Sequence, residues 1–100
     1  MLDLSSAARD VIAERARQQS QEGWSPEHDD EHTRGELAVA AASYAYVATV
    51  SDRTRKSWRP DWWPWDFSWW KPKTRRHDLV RAGALILAEI ERLDRQAAKG

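Results

Sequence analysis

The 100-residue chain contains no cysteine. That absence excludes a disulfide framework, a thiolate metal site and a cysteine nucleophile, and it suits a reducing compartment. Glycine and proline are scarce, at four residues each. Long apolar runs are missing too. The longest, AGALILA at 82–88, falls far short of the ~20 residues needed to span a bilayer. The opening MLDLSSAARD is acidic and amphipathic, not basic then apolar as in a secretory leader. No Gly-rich phosphate loop and no G-x-S-x-G elbow occur. Strand-like alternation and internal repeats are also lacking. These absences leave one small all-α domain, not a membrane protein, with a thin core margin for which oligomerisation is a common remedy.

What is present is helical periodicity. Leu4, Ala8, Val11 and Ile12 share a stripe, which predicts a helix over 3–21, capped by Asp3, Ser5 or Ser6 and stopped at Gly23. Ser25-Pro26-Glu27 is a second start signal: an N-cap serine, proline at the first helical position, then acids. It predicts a helix over 26–50; Gly35 weakens its first two turns and suggests a break near His32 to Gly35, with the main helix then starting at Thr33. A third helix over 74–96 follows Pro72, with Thr74 as cap. Its apolar residues Leu79, Gly83, Ile86, Ile90 and Leu93 recur at helical spacing, with Val80, Ala84 and Leu87 alongside. So wide an apolar face implies a helix central to the domain or packed on another subunit.

Formal net charge is zero, but it is unevenly spread. Residues 21–36 carry six acids and one base, whereas 52–76 carry eight bases and three acids. The two segments either attract each other or leave the basic one for an anionic partner.

The acidic segment holds His28-Asp29-Asp30-Glu31-His32, which matches H-x-x-E-H in letters. On a helix His28 and His32 sit one turn apart, so His28, Asp29 and His32 are the candidate metal ligands, for zinc or magnesium; a catalytic zinc needs three protein ligands and an open position. The chain also bears a loose resemblance to the MazG-type all-α nucleotide pyrophosphohydrolases. AERARQQ, GELAVAA, Glu91-Arg92-Leu93-Asp94 as Glu-x-x-Asp, and Glu27-His28-Asp29-Asp30 carry it, although no Glu-x-x-Glu occurs. That resemblance implies a metal-dependent hydrolase. The acidic first helical turn is explained equally well by the helix dipole.

The basic segment holds WRPDWWPWDFSWWKPK, six of the chain's seven tryptophans with three of its four prolines. The prolines prevent a long helix, so 51–73 reads as an ordered Trp-rich loop laid over the helices. Trp63, Trp65 and Trp69 are assigned to the core. Trp58, Trp62 and Trp70 remain to stack on a base. Arg53, Arg55, Lys56, Arg59, Lys71, Lys73, Arg75 and Arg76 flank them. Indoles stack on nucleobases for roughly 1–3 kcal/mol each, cations bind phosphates by charge-assisted hydrogen bonds, and the helix start at Thr74 favours an anion. Arg59, Lys71, Lys73, Arg75 and Arg76 are therefore the expected phosphate holders, with Tyr44, Tyr46 and His77 adding hydrogen bonds. Exposed Trp and Arg equally suit a protein-binding surface.

Three elements together, AERARQQSQEGWSPEHDDEHTRGELAVAAASYA, WPWDFSWWKPK and RRHDLVRAGALILAEIERLDR, resemble a family of small proteins encoded by phages and prophages. The resemblance implies an accessory protein of the bacterial cytoplasm. By analogy, it suggests an oligomeric sponge that sequesters a nucleotide immune signal without cleaving it. The expected partners are a nucleotide-derived small molecule and further copies of the chain, with no catalytic residue, no cofactor, no membrane and no long nucleic acid.

Overall fold

A computed structural model describes residues 3–55 and 57–99. Lys56, one of the flanking cations, lies outside the described residues. Among those described there are five helices and no strand: α1 (Ser6–Gln21), α2 (Pro26–Asp30), α3 (Glu36–Val47), α4 (Asp52–Arg55) and α5 (Arg75–Lys99), with a 3-10 turn at Phe67–Trp69. No described helix is long and apolar enough to cross a membrane.

The helix ends follow local chemistry. The Ser5 hydroxyl accepts the Ala8 amide at 3.1 Å. Gly23, at φ 72°, ends α1 in the left-handed region, and the Trp24 amide reaches back to the Gln18 carbonyl; a residue with a Cβ adopts that conformation at a cost. The Ser25 hydroxyl caps α2 through the His28 amide, and the Thr74 hydroxyl caps α5 through the His77 amide. The predicted helix over 26–50 is two helices. Gly35, at φ 80°, separates α2 from α3, and α3 stops at Val47. The segment expected to be loop at 51–73 contains α4 and the 3-10 turn.

The core is the α3–α5 contact. Leu37, Ala40, Ala41, Tyr44 and Val47 face Ala82, Leu85 and Ala88. Alanines let the two backbones approach closely but supply little apolar area each. Trp63 completes this cluster, with Trp24, Trp58, Trp65 and Trp70 packed against it. Trp69, assigned to the core from sequence, is instead 46% exposed. It lies on the outer side of the 3-10 turn, where its carbonyl rather than its ring is tied inward.

Two helix faces also differ from expectation. On α5 the buried side is Asp78, Arg81, Ala82, Ala84, Leu85, Ala88 and Arg92. The stripe of Leu79, Ile86, Ile90 and Leu93 points outward, each about half exposed. On α1 the buried residues are Glu14, Arg15 and Gln18, while Leu4 and Ile12 are exposed. The reason is electrostatic. Arg15 reaches Asp29 at 2.6 Å and Glu91 at 3.0 Å, and Glu14 lies 3.9 Å from Arg81. An ionic seam, not an apolar stripe, docks α1 on its neighbours. Gly83 assists, because a Cβ there would stand 3.1 Å from a Val11 methyl.

The Trp-rich segment is fastened through one hydroxyl. Tyr44 Oη donates to the Trp69 carbonyl at 3.3 Å and accepts from the Lys71 amide and Arg81 Nη1, both at 3.1 Å. A phenol has one donor and two acceptor positions, so it is saturated. Tyr44→Phe removes only this oxygen. It should lower stability by about 1–3 kcal/mol in urea denaturation and raise hydrogen exchange at the Lys71 amide.

Candidate functional site

The predicted cations do not gather at one place. Arg59 stands over the Phe67 ring at 5.2 Å and Lys71 over the Trp69 ring at 5.6 Å, each a surface cation–π contact. Lys73, Arg75 and Arg76 do converge. With Asp52, Arg55 and Thr74 they line an open hollow of about 510 Å³ at the start of α5.

Arg55 distinguishes this hollow from a merely basic surface. Its side chain is 4% exposed. Nη1 donates to the Lys73 carbonyl at 3.1 Å, but buried Nε and Nη2 have no hydrogen-bond partner. The nearest carboxylates, Asp52 at 3.7 Å and Asp78 at 3.8 Å, are beyond hydrogen-bond reach. A buried guanidinium left in this condition is costly, and an anion in the hollow would relieve it by drawing Arg55 outward, since both orphan nitrogens are closed to solvent. The Asp78 carboxyl is raised above its ordinary range by burial, against the pull of the Lys73 amide and the charges of Arg55 and Arg81. Asp78 spends Oδ1 on the Lys73 amide at 2.8 Å and makes no hydrogen bond to Arg55. The first-turn amides of α5 add to the field: the Thr74 hydroxyl takes that of His77, while those of Arg75 and Arg76 have no intrahelical acceptor. Arg76 also reaches Asp10 at 2.9 Å across the surface.

Sequence reasoning set Arg55 among the flanking cations but not among the ligand-holding ones. Its burial follows from α4, a single turn that closes through Arg55 N–H to the Ser51 carbonyl and that no periodicity announces.

An aromatic platform continues from the same turn. The Trp58 amide donates to the Thr54 carbonyl at 3.0 Å. The Trp58 ring lies 5.2 Å from Tyr46 and 5.8 Å from Trp62, and Tyr46 lies 6.0 Å from Trp62. Trp62 is 50% exposed and Tyr46 52%, so both offer ring surface. Trp70 does not. It stacks on Tyr44 at 4.7 Å and donates its indole N–H to the Trp58 carbonyl. Tyr44, 2% exposed with its hydroxyl saturated, has nothing left to offer a ligand.

His77 faces a different hollow, of about 350 Å³, lined also by Asp10, Glu14, Arg17 and Thr74. Burial, then the charges of Arg81 and Lys73, lowers its pKa. This agrees with Nε2 accepting from Arg81 Nη2 at 3.0 Å. Burial alone would raise Glu14, but the Arg17 hydrogen bonds and the charges of Arg17 and Arg81 outweigh it and hold that carboxyl below its usual range.

The acidic cluster is placed differently from a metal centre. Asp29 is fully buried against Arg15, Asp30 pairs with Arg95 at 2.8 Å, and Glu91 shares Arg15. His28 and His32 meet edge to face at 4.9 Å. Among the described residues, no three His, Cys, Asp or Glu side chains converge on one point.

No protein-family model matches the chain, and no curated protein or solved structure matches it. The assignment of Asp29 to structure has a direct test. Asp29→Ala leaves Arg15 buried beside half its partners and should cost about 3–5 kcal/mol. His28→Ala, at a half-buried stack with Trp24, should cost about 1 kcal/mol. Urea titration of both variants measures the contrast.

Proposed function

We propose that the protein is a non-catalytic binder of a nucleotide-derived anion. Phosphate is held by Arg55, Lys73, Arg75 and Arg76, and the base stacks on Trp62 or Tyr46. The observation that carries this reading is the buried Arg55 guanidinium with two donors unpartnered in a hollow shared with three further cations. The neighbouring carboxylates are Asp52, largely solvated, and Asp78, which burial disfavours as an anion. Of the other lining groups, the Thr74 hydroxyl is engaged as the α5 cap and Asp52 is largely solvated, so this reading assigns the hollow capture rather than turnover. In the setting that the phage-family resemblance implies, capture in a bacterial cytoplasm amounts to sequestration of a host signal.

A panel of cyclic and linear nucleotides, titrated against intrinsic Trp fluorescence, tests the reading. One member should bind saturably and be recovered chemically unchanged. Arg75→Ala should weaken binding by about 10-fold or more, the worth of a charge-assisted hydrogen bond. Arg59→Ala, over Phe67, should leave it within about twofold. Silence across the panel, or turnover of the ligand, refutes the proposal.

The same reading includes a homodimer built on α5. Leu79, Ile86, Ile90 and Leu93, with Ile12 of α1 and Leu4 just before it, are each about half exposed. Together they offer on the order of 500 Å² of apolar surface per copy, so a pair buries about the 1,000 Å² expected of a specific interface. The α5 stripe is symmetric about Ile86. Antiparallel apposition sets Leu79 against Leu93 of the second copy and Ile86 against itself. It also brings Arg75 and Arg76, placed unfavourably at their own helix N-terminus, to the electronegative end of the other α5. Sedimentation should give a dimer in the native protein and a folded monomer for Ile86→Asp; a monomeric native protein contradicts this arrangement.

A further inference from the structure

A second hollow, of about 410 Å³, lies on the acidic side of the molecule and has the opposite chemistry. Its walls are four rings in a closed circuit. Trp24 lies parallel to His28, 3° between planes and 6.2 Å between centroids. His28 meets His32 at 4.9 Å, His32 meets Trp65 at 5.2 Å, and Trp65 returns to Trp24 at 6.0 Å. Trp69 adds a fifth ring, and the only charged residues among the lining are Glu22 and Asp66.

We infer that this hollow is an aromatic cage for a methylated ammonium group. The argument is electrostatic. Indole faces are electron-rich, and a cation within about 6 Å of a ring centroid is attracted to them. Trp24 and Trp65 supply indole faces to this space, whereas the Trp69 ring already carries the Lys71 ammonium at 5.6 Å. Phosphate finds no lysine or arginine along the lining to pair with. Asp66, an exposed residue of the lining, offers a carboxylate: hydrogen bonds from the Ser68 amide, at 2.8 Å to Oδ1, and the Ser68 hydroxyl hold it below the ordinary range. Glu22 is partly neutralised by Arg17 at 3.1 Å, so Asp66 supplies the more available charge. A simple ammonium is strongly hydrated and would lose that hydration on entry. A quaternary or trimethylated ammonium is weakly hydrated and apolar at its periphery, which matches ring walls.

The site also accounts for residues that the anion hollow leaves unused. Trp24 and Trp65 are only half-buried, and the two histidines that suggested a metal serve here as rings in a wall. The α2 turn sets His28 and His32 four residues apart so that both reach the same space.

The test uses choline and its neutral isostere 3,3-dimethyl-1-butanol, titrated by Trp fluorescence at pH 8. Choline should saturate in the micromolar to low millimolar range, and the isostere should bind at least 10-fold more weakly. Asp66→Asn, at an exposed residue whose change leaves the core intact, should weaken choline several-fold. Trp24→Leu should abolish it, with thermal melting to confirm the fold. Arg75→Ala, in the anion hollow, should leave choline unchanged. Equal affinity for choline and the isostere would show a merely greasy pocket and overturn the inference. A saturable response to a nucleobase but not to choline, or no choline response below about 10 mM in folded protein, would do the same.

Discussion

Arg81 joins every main part of the molecule. From the buried side of α5 its Nη1 donates to the Tyr44 hydroxyl at 3.1 Å and to the Lys71 carbonyl at 2.8 Å. Nη2 reaches His77 at 3.0 Å, and Nε lies 3.9 Å from Glu14. The guanidinium also stands over the Tyr44 ring at 5.0 Å. One side chain therefore ties α5 to α1, α3 and the Trp-rich segment. A buried charge is costly where it is left unpaired; Nε makes no hydrogen bond, so Nη1 and Nη2 carry the pairing and their partners are constrained together. Glu14 must stay ionised, His77 must present an unprotonated nitrogen, and the Lys71 carbonyl must point inward.

That constraint explains the unusual division of labour among residues. Charged side chains occupy buried positions on α1 and α5, while Ile12 of α1 and Leu79, Ile86, Ile90 and Leu93 of α5 face out. The α3–α5 contact is made mainly by alanines with Leu37, Val47 and Leu85, which is close but thin. Tryptophans from the loop supply the missing apolar area, Trp63 fully and Trp58, Trp65 and Trp70 in part. The loop can do this without regular structure because Tyr44, the Trp63 indole on the Asp66 carbonyl and the Trp70 indole on the Trp58 carbonyl satisfy its polar groups.

The helical class and the helix starts at Ser5, Ser25 and Thr74 were legible because capping is local chemistry, written in three or four adjacent residues. A break between His32 and Gly35 was legible as well, but the helix after it starts at Glu36 rather than at Thr33, because Gly35 itself takes the left-handed conformation. The inward face of α5 was not. Two stripes run along that helix, and the one with larger side chains is the natural choice by periodicity. The inner stripe includes Asp78, Arg81 and Arg92, which read as solvent-facing until their partners from distant segments are known. Of the candidate ligand-holding residues, Lys73, Arg75 and Arg76 were recognisable as cations at a helix start. Arg55 was not, since only the three-dimensional path of α4 withdraws it from water. The same holds for the ring of Trp24, His28, His32 and Trp65, whose members lie in segments with no shared pattern.

The charge asymmetry of the sequence acquires a definite meaning from these pairings. Acids at 21–36 could have neutralised the bases at 52–76. Among the described residues they do not. Glu22 pairs with Arg17, Asp29 with Arg15 and Asp30 with Arg95, all cations outside the basic segment. The arginines of α1 and the end of α5 thus consume the negative charge of α2 and its flanks. The bases of 52–76 are left with distant contacts to Asp52 and Asp78 and one surface pair, Arg76 to Asp10. A zero net charge therefore conceals a local surplus at the start of α5 that no internal partner absorbs. An anion is the simplest species that would. The opposite side of the molecule has its arginines spent, and presents rings and a carboxylate instead. The two hollows consequently differ in the sign of the charge on their linings, because the buried ion pairs that hold the fold together decide which charges remain unpaired.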